Sequence, residues 1–242
     1  MDVDKQQIKA IVFDKDGTLI DFEASWGTGM QALLDAVAPN DDVRMAKLAD
    51  AAGFDLQNRR FAGGSVFVNG TTADMIAVWQ GVEPTLDSAE ILTKGEIAFS
   101  GLEPAPLCDL PALMGQLRDM GFALGVVTNA AEAPTLVQLE KLGCLDLFDM
   151  VIGCDSGFTP KPAGDTILGF CQQVGLDPAQ VAMVGDSTHD LNAGRAAGVG
   201  MNVGVLSGPA KRGQIADLSD VILGDVTELI SLFHGQGLES GA

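Results

Sequence analysis

The stretch IKAIVFDKDGTLID, residues 8–21, decides the fold, because an apolar run ends there in two closely spaced aspartates. Ile8 to Phe13 is apolar apart from one lysine, which predicts a short buried strand. Asp14 and Asp16 follow that strand directly. Carboxylates beside a hydrophobic core are costly unless a cation compensates them. Because ligands of open α/β sheets bind just beyond the carboxyl ends of strands, this pair indicates a functional site.

Two other interpretations of the same residues exist. Asp and Gly after a strand often form a simple turn. A calcium-binding loop needs about a dozen residues with regularly spaced oxygen ligands, but the chain after Asp16 becomes apolar again within a few residues. The stretch alone favours a functional carboxylate pair over a turn, and the remaining motifs must decide.

Composition limits the possible functions. The chain has 242 residues, a hydrophobic fraction of 47% and a net charge of −19, so it can build a sizeable core and is not a disordered chain. A charge of this sign repels nucleic acid and anionic membranes. An anionic substrate must therefore be received by a local cation, such as a metal ion or a few Lys and Arg side chains.

Cysteine usage and hydropathy predict a cytoplasmic protein. The four cysteines form no CxxC pair, which is typical of reduced thiols in an intracellular protein. The first ten residues, MDVDKQQIKA, lack the apolar segment of a secretory signal. No run approaches the roughly 18 apolar residues of a membrane span. With two histidines and no Cys/His cluster, a zinc site is not expected.

The residues after Asp21 predict a block of helices from 22 to 100 without a strand. Apolar side chains recur at three- and four-residue spacing from Phe22 to Val37, the pattern of an amphipathic helix. An irregular stretch from 55 to 70 interrupts the block. The other predicted helices are Val43 to Phe54, Thr72 to Gln80 and Thr85 to Phe99.

From about residue 101, helices and strands alternate, which indicates βαβ units and a parallel sheet. The first strand belongs to that sheet by composition, so the helical block is an insertion and the fold class is α/β. The predicted strands are Phe122 to Val127, Met150 to Gly153, Val181 to Val184, Gly200 to Val205 and Val221 to Leu223. The predicted helices are Asp109 to Met120, Ala131 to Leu142, Pro162 to Val174, Thr188 to Ala197 and Val226 to Phe233.

Four strand ends of this predicted sheet carry polar residues, which can converge because parallel strands share one carboxyl edge. These residues are Asp14 and Asp16 after the first strand, Thr128 and Asn129 after FALGVV, Lys161 after VIG and its loop, and Asp186 and Asp190 after VAMVG. The types suit phosphoryl transfer. One carboxylate can attack phosphorus and a second can move protons, while clustered carboxylates without His or Cys are ligands for Mg²⁺.

This arrangement resembles the haloacid dehalogenase superfamily of aspartyl-nucleophile phosphatases over most of the chain. DKDGTL (14–19) fits its first motif, VVTN (126–129) its second, the lysine before Pro162 its third and GDSTHD (185–190) its fourth. The resemblance implies a Rossmann-like core, residues 1–21 and 101–242, with a helical cap, residues 22–100, inserted after the first motif. Within the superfamily the nearest resemblance is to phosphoglycolate phosphatases.

The resemblance also implies a role for each motif residue. Asp14 is the nucleophile and a metal ligand, and Asp16 is the general acid/base whose carbonyl also binds the metal. Thr128, Asn129 and Lys161 bind the phosphoryl group. Asp186 is a further metal ligand, and Asp190 supports the metal site or the lysine. From the residues alone, Asn129 could equally cap the following helix.

Candidates for substrate contact in the cap are Trp26, Arg59 and Arg60. The position of Trp26 in its helix favours a packing role, and an arginine in a loop is more often solvated than bound. Either arginine could nevertheless meet a substrate carboxylate in this acidic chain.

The sequence therefore predicts a cytoplasmic, Mg²⁺-dependent phosphatase for a small phosphorylated metabolite, with 2-phosphoglycolate first, acting as a monomer or homodimer without nucleic acid or membrane. A hexose-phosphate mutase shares the four motifs and stays open. A phosphonate hydrolase of this superfamily needs a cap lysine, and neither Lys47 nor Lys94 lies in a recognisable setting. Asp16 and Asp186 argue against a dehalogenase. A catalytically silent binding protein would be expected to lose Asp14 or Asp16, and both are present.

Overall fold

The computed structural model describes residues 5–62, 65–100 and 103–234. The chain divides into two compact units. The first, which we call the core unit, consists of Met1–Ile20 and Pro106–Ala242. The second, the helical unit, consists of Asp21–Ala105.

A parallel sheet of six strands forms the centre of the core unit among the described residues, in the order β5-β4-β1-β6-β7-β8. This confirms the predicted α/β class. Numbered along the whole chain, the strands are β1 (Ala10–Phe13), β2 (Phe54–Asp55), β3 (Arg60–Phe61), β4 (Ala123–Val127), β5 (Met150–Ile152), β6 (Val181–Gly185), β7 (Met201–Val205) and β8 (Val221–Leu223).

Strand β1 lies in the middle of the sheet, between β4 and β6. Phe13 is in register with Val126 on one side and with Val184 on the other, so the strand ends of β1, β4 and β6 lie side by side. Alternate residues of a strand point to opposite faces. Accordingly, Ile11 and Phe13 join one buried apolar cluster while Val12 joins another. A strand buried on both faces explains the apolar run that precedes Asp14.

Most helices of the core unit lie close to the predicted positions, with two corrections and one short helix, Arg212–Ile215, that the sequence did not predict. Pro162 does not begin a helix: it lies in a turn closed by a hydrogen bond from the Ala163 N–H to the Pro160 carbonyl, its bond to Lys161 is cis, and the helix begins at Asp165. The last predicted helix is a 3₁₀ turn followed by a short α-helix. The core-unit helices are α6 (Leu110–Asp119), α7 (Glu132–Lys141), α8 (Asp165–Val174), α9 (Thr188–Ala197), α10 (Arg212–Ile215) and α11 (Leu229–Phe233).

The helical unit contains a short β-hairpin, so the expectation of a block without strands is wrong. Strands β2 and β3 pair antiparallel, and the Asp55 side chain accepts hydrogen bonds from the N–H groups of Gln57 and Asn58 in the connecting turn. Arg59 adopts a positive φ of 52° there. Strands of two residues leave no alternation to detect. The helices are α1 (Phe22–Val37), α2 (Asp42–Ala52), α3 (Val66–Asn69), α4 (Thr72–Val82) and α5 (Ser88–Ser100).

Among the described residues, no helix combines the length and the apolar character that crossing a membrane requires.

Candidate active site

The central strand ends of the core unit place three motif residues next to one another. Asp14 follows β1, and its N–H donates to the Val184 carbonyl, which fixes the aspartate beside the end of β6. Thr128 follows β4, and Asp186 follows β6. All three side chains are buried. The sheet therefore delivers them to one edge, as the βαβ pattern predicts.

Lys161 reaches this edge from the loop after β5 and is the electrostatic centre of the site. Its ammonium group donates to Asp14 Oδ1 at 2.6 Å, to Asp190 Oδ1 at 2.6 Å and to the Val127 carbonyl at 2.9 Å. An ammonium group has three protons, so these contacts use all of them. The side chain is only 3% exposed. Lys161 thus links the first and fourth motifs through a buried double ion pair.

Asn129 holds the lysine in place through the main chain. Its Nδ2 donates to the Lys161 carbonyl, and its Oδ1 accepts from the Lys161 N–H, both at 3.0 Å. The alternative that Asn129 caps the following helix is wrong, because the N-cap of α7 is Ala131 and makes no side-chain capping bond. The side-chain amide instead holds the main chain of the loop that carries Lys161.

Asp186 presents a buried oxygen without a hydrogen-bond partner. Its Oδ1 accepts from the Thr18 hydroxyl at 3.2 Å, whereas Oδ2 has no partner and the residue is 1% exposed. Gly17 packs against this carboxylate at φ +87°, and a Cβ there would lie 2.8 Å from it. A buried, unpartnered carboxylate oxygen is costly and indicates that a cation belongs beside it.

Asp190 serves both the lysine and its own helix. While Oδ1 pairs with Lys161, Oδ2 accepts from the N–H and the hydroxyl of Ser187. The Ser187 hydroxyl in turn accepts from the Asp190 N–H, which completes a capping box at the start of α9. The N-terminus of α9 therefore orients the Asp190 carboxylate, which in turn orients Lys161.

Burial dominates the proton affinities of these groups. It raises the pKa of Asp14 to about 7, against the opposing effect of Lys161, with further upward contributions from Asp190 and Asp16. Burial also raises the pKa of Asp186 well above its ordinary value, and Asp190 and Asp14 add to that shift. For Lys161 burial alone would lower the pKa, but Asp14 and Asp190 outweigh it and raise it. Lys161 is therefore charged, and the carboxylates of Asp14 and Asp186 have too little positive charge beside them to offset their burial.

The residues present fit a hard divalent cation. Oxygen atoms of Asp14, Asp186 and Asp190 all lie within 4.8 Å of one another, and all three residues are buried. Three ionised carboxylates share the single positive charge of Lys161, so two further positive charges would balance them. A donor set made only of oxygen suits Mg²⁺ or a similar ion.

Asp16, the second aspartate of the first motif, pairs with its own neighbour. Its Oδ2 lies 2.7 Å from the ammonium group of Lys15, and its side chain is 14% exposed. Asp16 is thus less buried than Asp14. The same ammonium group donates to Gln138 of α7 at 2.7 Å. The motif pattern assigned no role to Lys15 and did not predict this contact.

A turn after β7 is a second feature that the sequence did not reveal. The Ser207 hydroxyl donates to the Gly17 carbonyl at 2.7 Å, and a Cβ on Gly208 would lie 1.9 Å from Asp186 Oδ2. Only glycine fits at such a close approach. Nothing in the sequence pattern placed this turn against Asp186.

The three residues of the helical unit that are predicted to contact the substrate differ in their surroundings. Trp26 packs against Phe22 and Phe99, with ring centroids 6.4 and 5.3 Å apart, as its favoured packing role predicts. Arg60 pairs with Glu23 at 3.5 Å, and its side chain is 75% exposed. Arg59 is exposed in the hairpin turn. Their contact with a substrate stays a prediction.

A six-stranded parallel sheet with buried carboxylates at its central strand ends is an α/β fold with a candidate site at its carboxyl edge. Residues 8–198 match the family model of the haloacid dehalogenase-like hydrolases, and the chain belongs to this family. The predicted recognition of the superfamily from four short motifs is confirmed.

Individual relatives agree with this assignment. The chain is 30% identical to the phosphoglycolate phosphatase of Escherichia coli over an alignment of 263 positions, gaps included, that covers 97% of each protein. In fold it is similar to a haloacid dehalogenase-like family hydrolase from Streptococcus pneumoniae (TM-score 0.70, 19% identity, 94% and 99% of the two chains). It is also similar to a phosphatase of this family from Thermococcus onnurineus (TM-score 0.64, 22% identity, 96% and 100%).

Proposed function

We propose that this protein is a Mg²⁺-dependent phosphatase that hydrolyses a small phosphate monoester, with 2-phosphoglycolate as the first candidate, through an aspartyl phosphate on Asp14. The observation that carries the proposal is the buried arrangement of Asp14, Asp186 and Asp190 around Lys161. The name and the nearly full coverage of the Escherichia coli relative support the choice of substrate class.

In the first half of the reaction, a carboxylate oxygen of Asp14 attacks phosphorus and the bond from phosphorus to the ester oxygen breaks. Lys161 already touches Asp14 Oδ1, which leaves the other oxygen of that carboxylate as the nucleophile. Asp16 gives its proton to the departing alkoxide, so a neutral alcohol leaves. In this proposal the positive charge of Lys161 attracts the phosphoryl oxygens, and the Thr128 hydroxyl donates a hydrogen bond to one of them.

In the second half, water attacks the phosphorus of the aspartyl phosphate and the bond to Asp14 breaks. Asp16, now ionised, accepts the proton from that water. Inorganic phosphate leaves, and both aspartates return to their starting protonation states. Two neighbouring carboxylates thus divide the work: Asp14 forms the covalent bond, and Asp16 moves the proton.

The metal would be held by the carboxylates of Asp14 and Asp186 and by the main-chain carbonyl of Asp16. When bound, Mg²⁺ supplies the positive charge that offsets the repulsion between Asp14 and an anionic ester. The unpartnered Asp186 Oδ2 is the oxygen most in need of such a partner. Gly17 and Gly208 keep the space around that carboxylate free of side-chain atoms.

The test is phosphate release from a panel of monoesters that includes 2-phosphoglycolate and β-glucose 1-phosphate, with Mg²⁺ or with EDTA. We expect release with Mg²⁺, loss with EDTA and recovery when excess Mg²⁺ is restored. The Asp14→Asn protein, purified in the same way, controls for contaminating phosphatases. Conversion of β-glucose 1-phosphate to glucose 6-phosphate without phosphate release would replace the proposal by a mutase, and turnover in EDTA would refute the metal's role.

A further inference from the structure

Lys15 is a fully buried lysine that the proposed reaction does not use. Its side chain is 1% exposed, and it lies between the two catalytic aspartates in the sequence. Burying an ammonium group is costly unless the charge is paired and hydrogen-bonded. An apolar residue would fill the same volume at a lower cost in folding free energy, so stability alone does not account for a lysine here.

The ammonium group of Lys15 bridges the first-motif turn and helix α7. It lies 2.7 Å from Asp16 Oδ2 and 2.7 Å from Gln138 Oε1. The turn itself is tight, since the Lys15 carbonyl accepts hydrogen bonds from the N–H groups of Leu19 and Ile20. The lysine therefore anchors the Asp16 carboxylate to a rigid element of the core unit.

The second buried lysine of the site cannot perform this task. The three protons of Lys161 are directed at Asp14, Asp190 and the Val127 carbonyl. Asp16 therefore receives its adjacent positive charge from Lys15. The two lysines divide the carboxylates between them, one at the nucleophile and one at the second aspartate.

We propose that Lys15 is a positioning residue for Asp16: it holds Oδ2 so that the proton is given and taken at Oδ1. This inference rests on the proposed function, because it assigns the orientation of the proposed general acid/base. The ion pair restricts the side-chain torsions of Asp16 before the reaction. Less conformational entropy is then lost when the carboxylate is aligned with the leaving group. Gln138 limits the movement of the ammonium group in turn.

The test compares two leaving groups in the Lys15→Met variant, which keeps an unbranched side chain and removes the charge. An alkoxide needs a proton to leave, whereas p-nitrophenolate leaves as a stable anion. The parameter is kcat/KM, because it reports the steps up to departure of the alcohol. We expect at least ~10-fold loss for the best aliphatic ester of the panel, and a change within about 3-fold for p-nitrophenyl phosphate.

A double-mutant cycle separates positioning from a merely structural role. If Lys15 acts through Asp16, adding Lys15→Met to Asp16→Asn changes kcat/KM for the aliphatic ester by less than about 2-fold. Equal losses on both substrates, or losses that multiply in the double variant, would overturn the proposal. A wild-type enzyme inactive on every ester would remove the proposed function and this inference with it.

Gln138→Leu provides a variant that keeps the buried ion pair and removes only its neighbour on α7. Gln138 is half-buried, so the substitution leaves the core packing intact. We expect a smaller loss with the same preference for the aliphatic ester. If Lys15→Met does not fold, this variant decides: an unchanged ratio of the two kcat/KM values would refute the positioning role.

Discussion

The core unit and the helical unit differ in what they bury. The buried charged side chains of the described residues are Asp14, Lys15, Lys161, Asp186 and Asp190, and all of them belong to the core unit. In the described part of the helical unit, the buried polar side chains are those of Ser25 and Ser65. Ser25 accepts from the Ala105 N–H, and Ser65 donates to the Ala52 carbonyl.

This difference separates residues that stabilise from residues that react. A hydroxyl bonded to the main chain is neutral and inexpensive to bury. A cluster of buried charges costs free energy that apolar side chains of the same volume would not. Stability therefore does not explain why the core unit buries these charges, whereas a chemical role for them does. The following predictions compare matched substitutions in the two units.

The largest contrast concerns Asp→Asn substitutions. Asp14→Asn keeps an oxygen for Lys161 and removes the nucleophile, so we expect kcat to fall by more than about 10³-fold. The thermal midpoint in EDTA should stay unchanged or rise, because a buried carboxylate with a raised pKa is neutralised. Asp55→Asn in the helical unit should do the opposite: unchanged kcat and a lower midpoint, since Asp55 accepts several hydrogen bonds in its turn. Phosphate release and calorimetry measure both.

The second contrast concerns cations. Lys161→Met leaves Asp14 and Asp190 buried without their partner, and we expect a loss of about 3–5 kcal/mol in unfolding free energy. Arg44 makes a two-pronged pair with Glu83 at the surface of the helical unit, with side chains 32% and 22% exposed. Arg44→Met should cost only about 1 kcal/mol. Urea denaturation in EDTA distinguishes them, and equal costs would contradict the assignment of Lys161 as a buried charge centre.

The third prediction concerns metal binding and pH. Burial raises the pKa of Asp14 from 3.8 to about 7, so between these values the metal-free folded protein holds a proton that the unfolded chain has lost. The contribution of Asp14 to the free energy of unfolding is therefore most favourable at low pH, and it falls as the pH rises toward 7. Mg²⁺ must displace that proton at pH 5 but not at pH 8. We therefore expect the rise in thermal midpoint on adding Mg²⁺ to be larger at pH 8.

Two glycine substitutions localise that effect. Gly208→Ala directs a methyl group at Asp186 Oδ2, and we expect at least ~10-fold weaker Mg²⁺ binding by titration calorimetry, which corresponds to about 1.4 kcal/mol. Gly213→Ala is the matched control, because a Cβ there meets nothing within 4 Å. Equal affinities in both variants would place the metal away from Asp186.

The smallest expected effect lies in the helical unit. If Arg59 binds a substrate carboxylate, Arg59→Gln should raise KM for 2-phosphoglycolate by about 3–10-fold with kcat unchanged. The KM for p-nitrophenyl phosphate, which has no carboxylate, should stay the same. Arg60→Gln is the companion variant, since Arg60 already pairs with Glu23. No change in either variant would remove both arginines from substrate binding.

The sequence predicted the core unit well because its chemistry restricts residue type. Each of the four motifs restricts the residue types at its positions, and a doubly buried strand before Asp14 is recognisable from six residues. The motif before Pro162 predicted that Lys161 lies at this edge of the sheet. The sequence left Asp190 open between the metal site and the lysine, and the structure shows its contact with Lys161.

The features that the sequence missed depend on tertiary contacts between distant residues. Gly208 approaches Asp186 from a separate strand end, and Lys15 meets Gln138 across 123 positions. The sequence left Asn129 open between two roles, and its hydrogen bonds to the third motif go to main-chain atoms, which no side-chain pattern reveals. The two-residue strands of the hairpin lie below the length at which alternation can be seen.

The most direct test of the account is to trap the covalent intermediate. Mixing enzyme, Mg²⁺ and substrate, and then quenching with sodium borohydride, reduces an acyl phosphate on aspartate to homoserine, which peptide mass spectrometry locates. The account predicts homoserine at position 14, dependent on substrate and absent from the Asp14→Asn protein. Homoserine at another aspartate, or turnover without any reducible acyl phosphate, would contradict it.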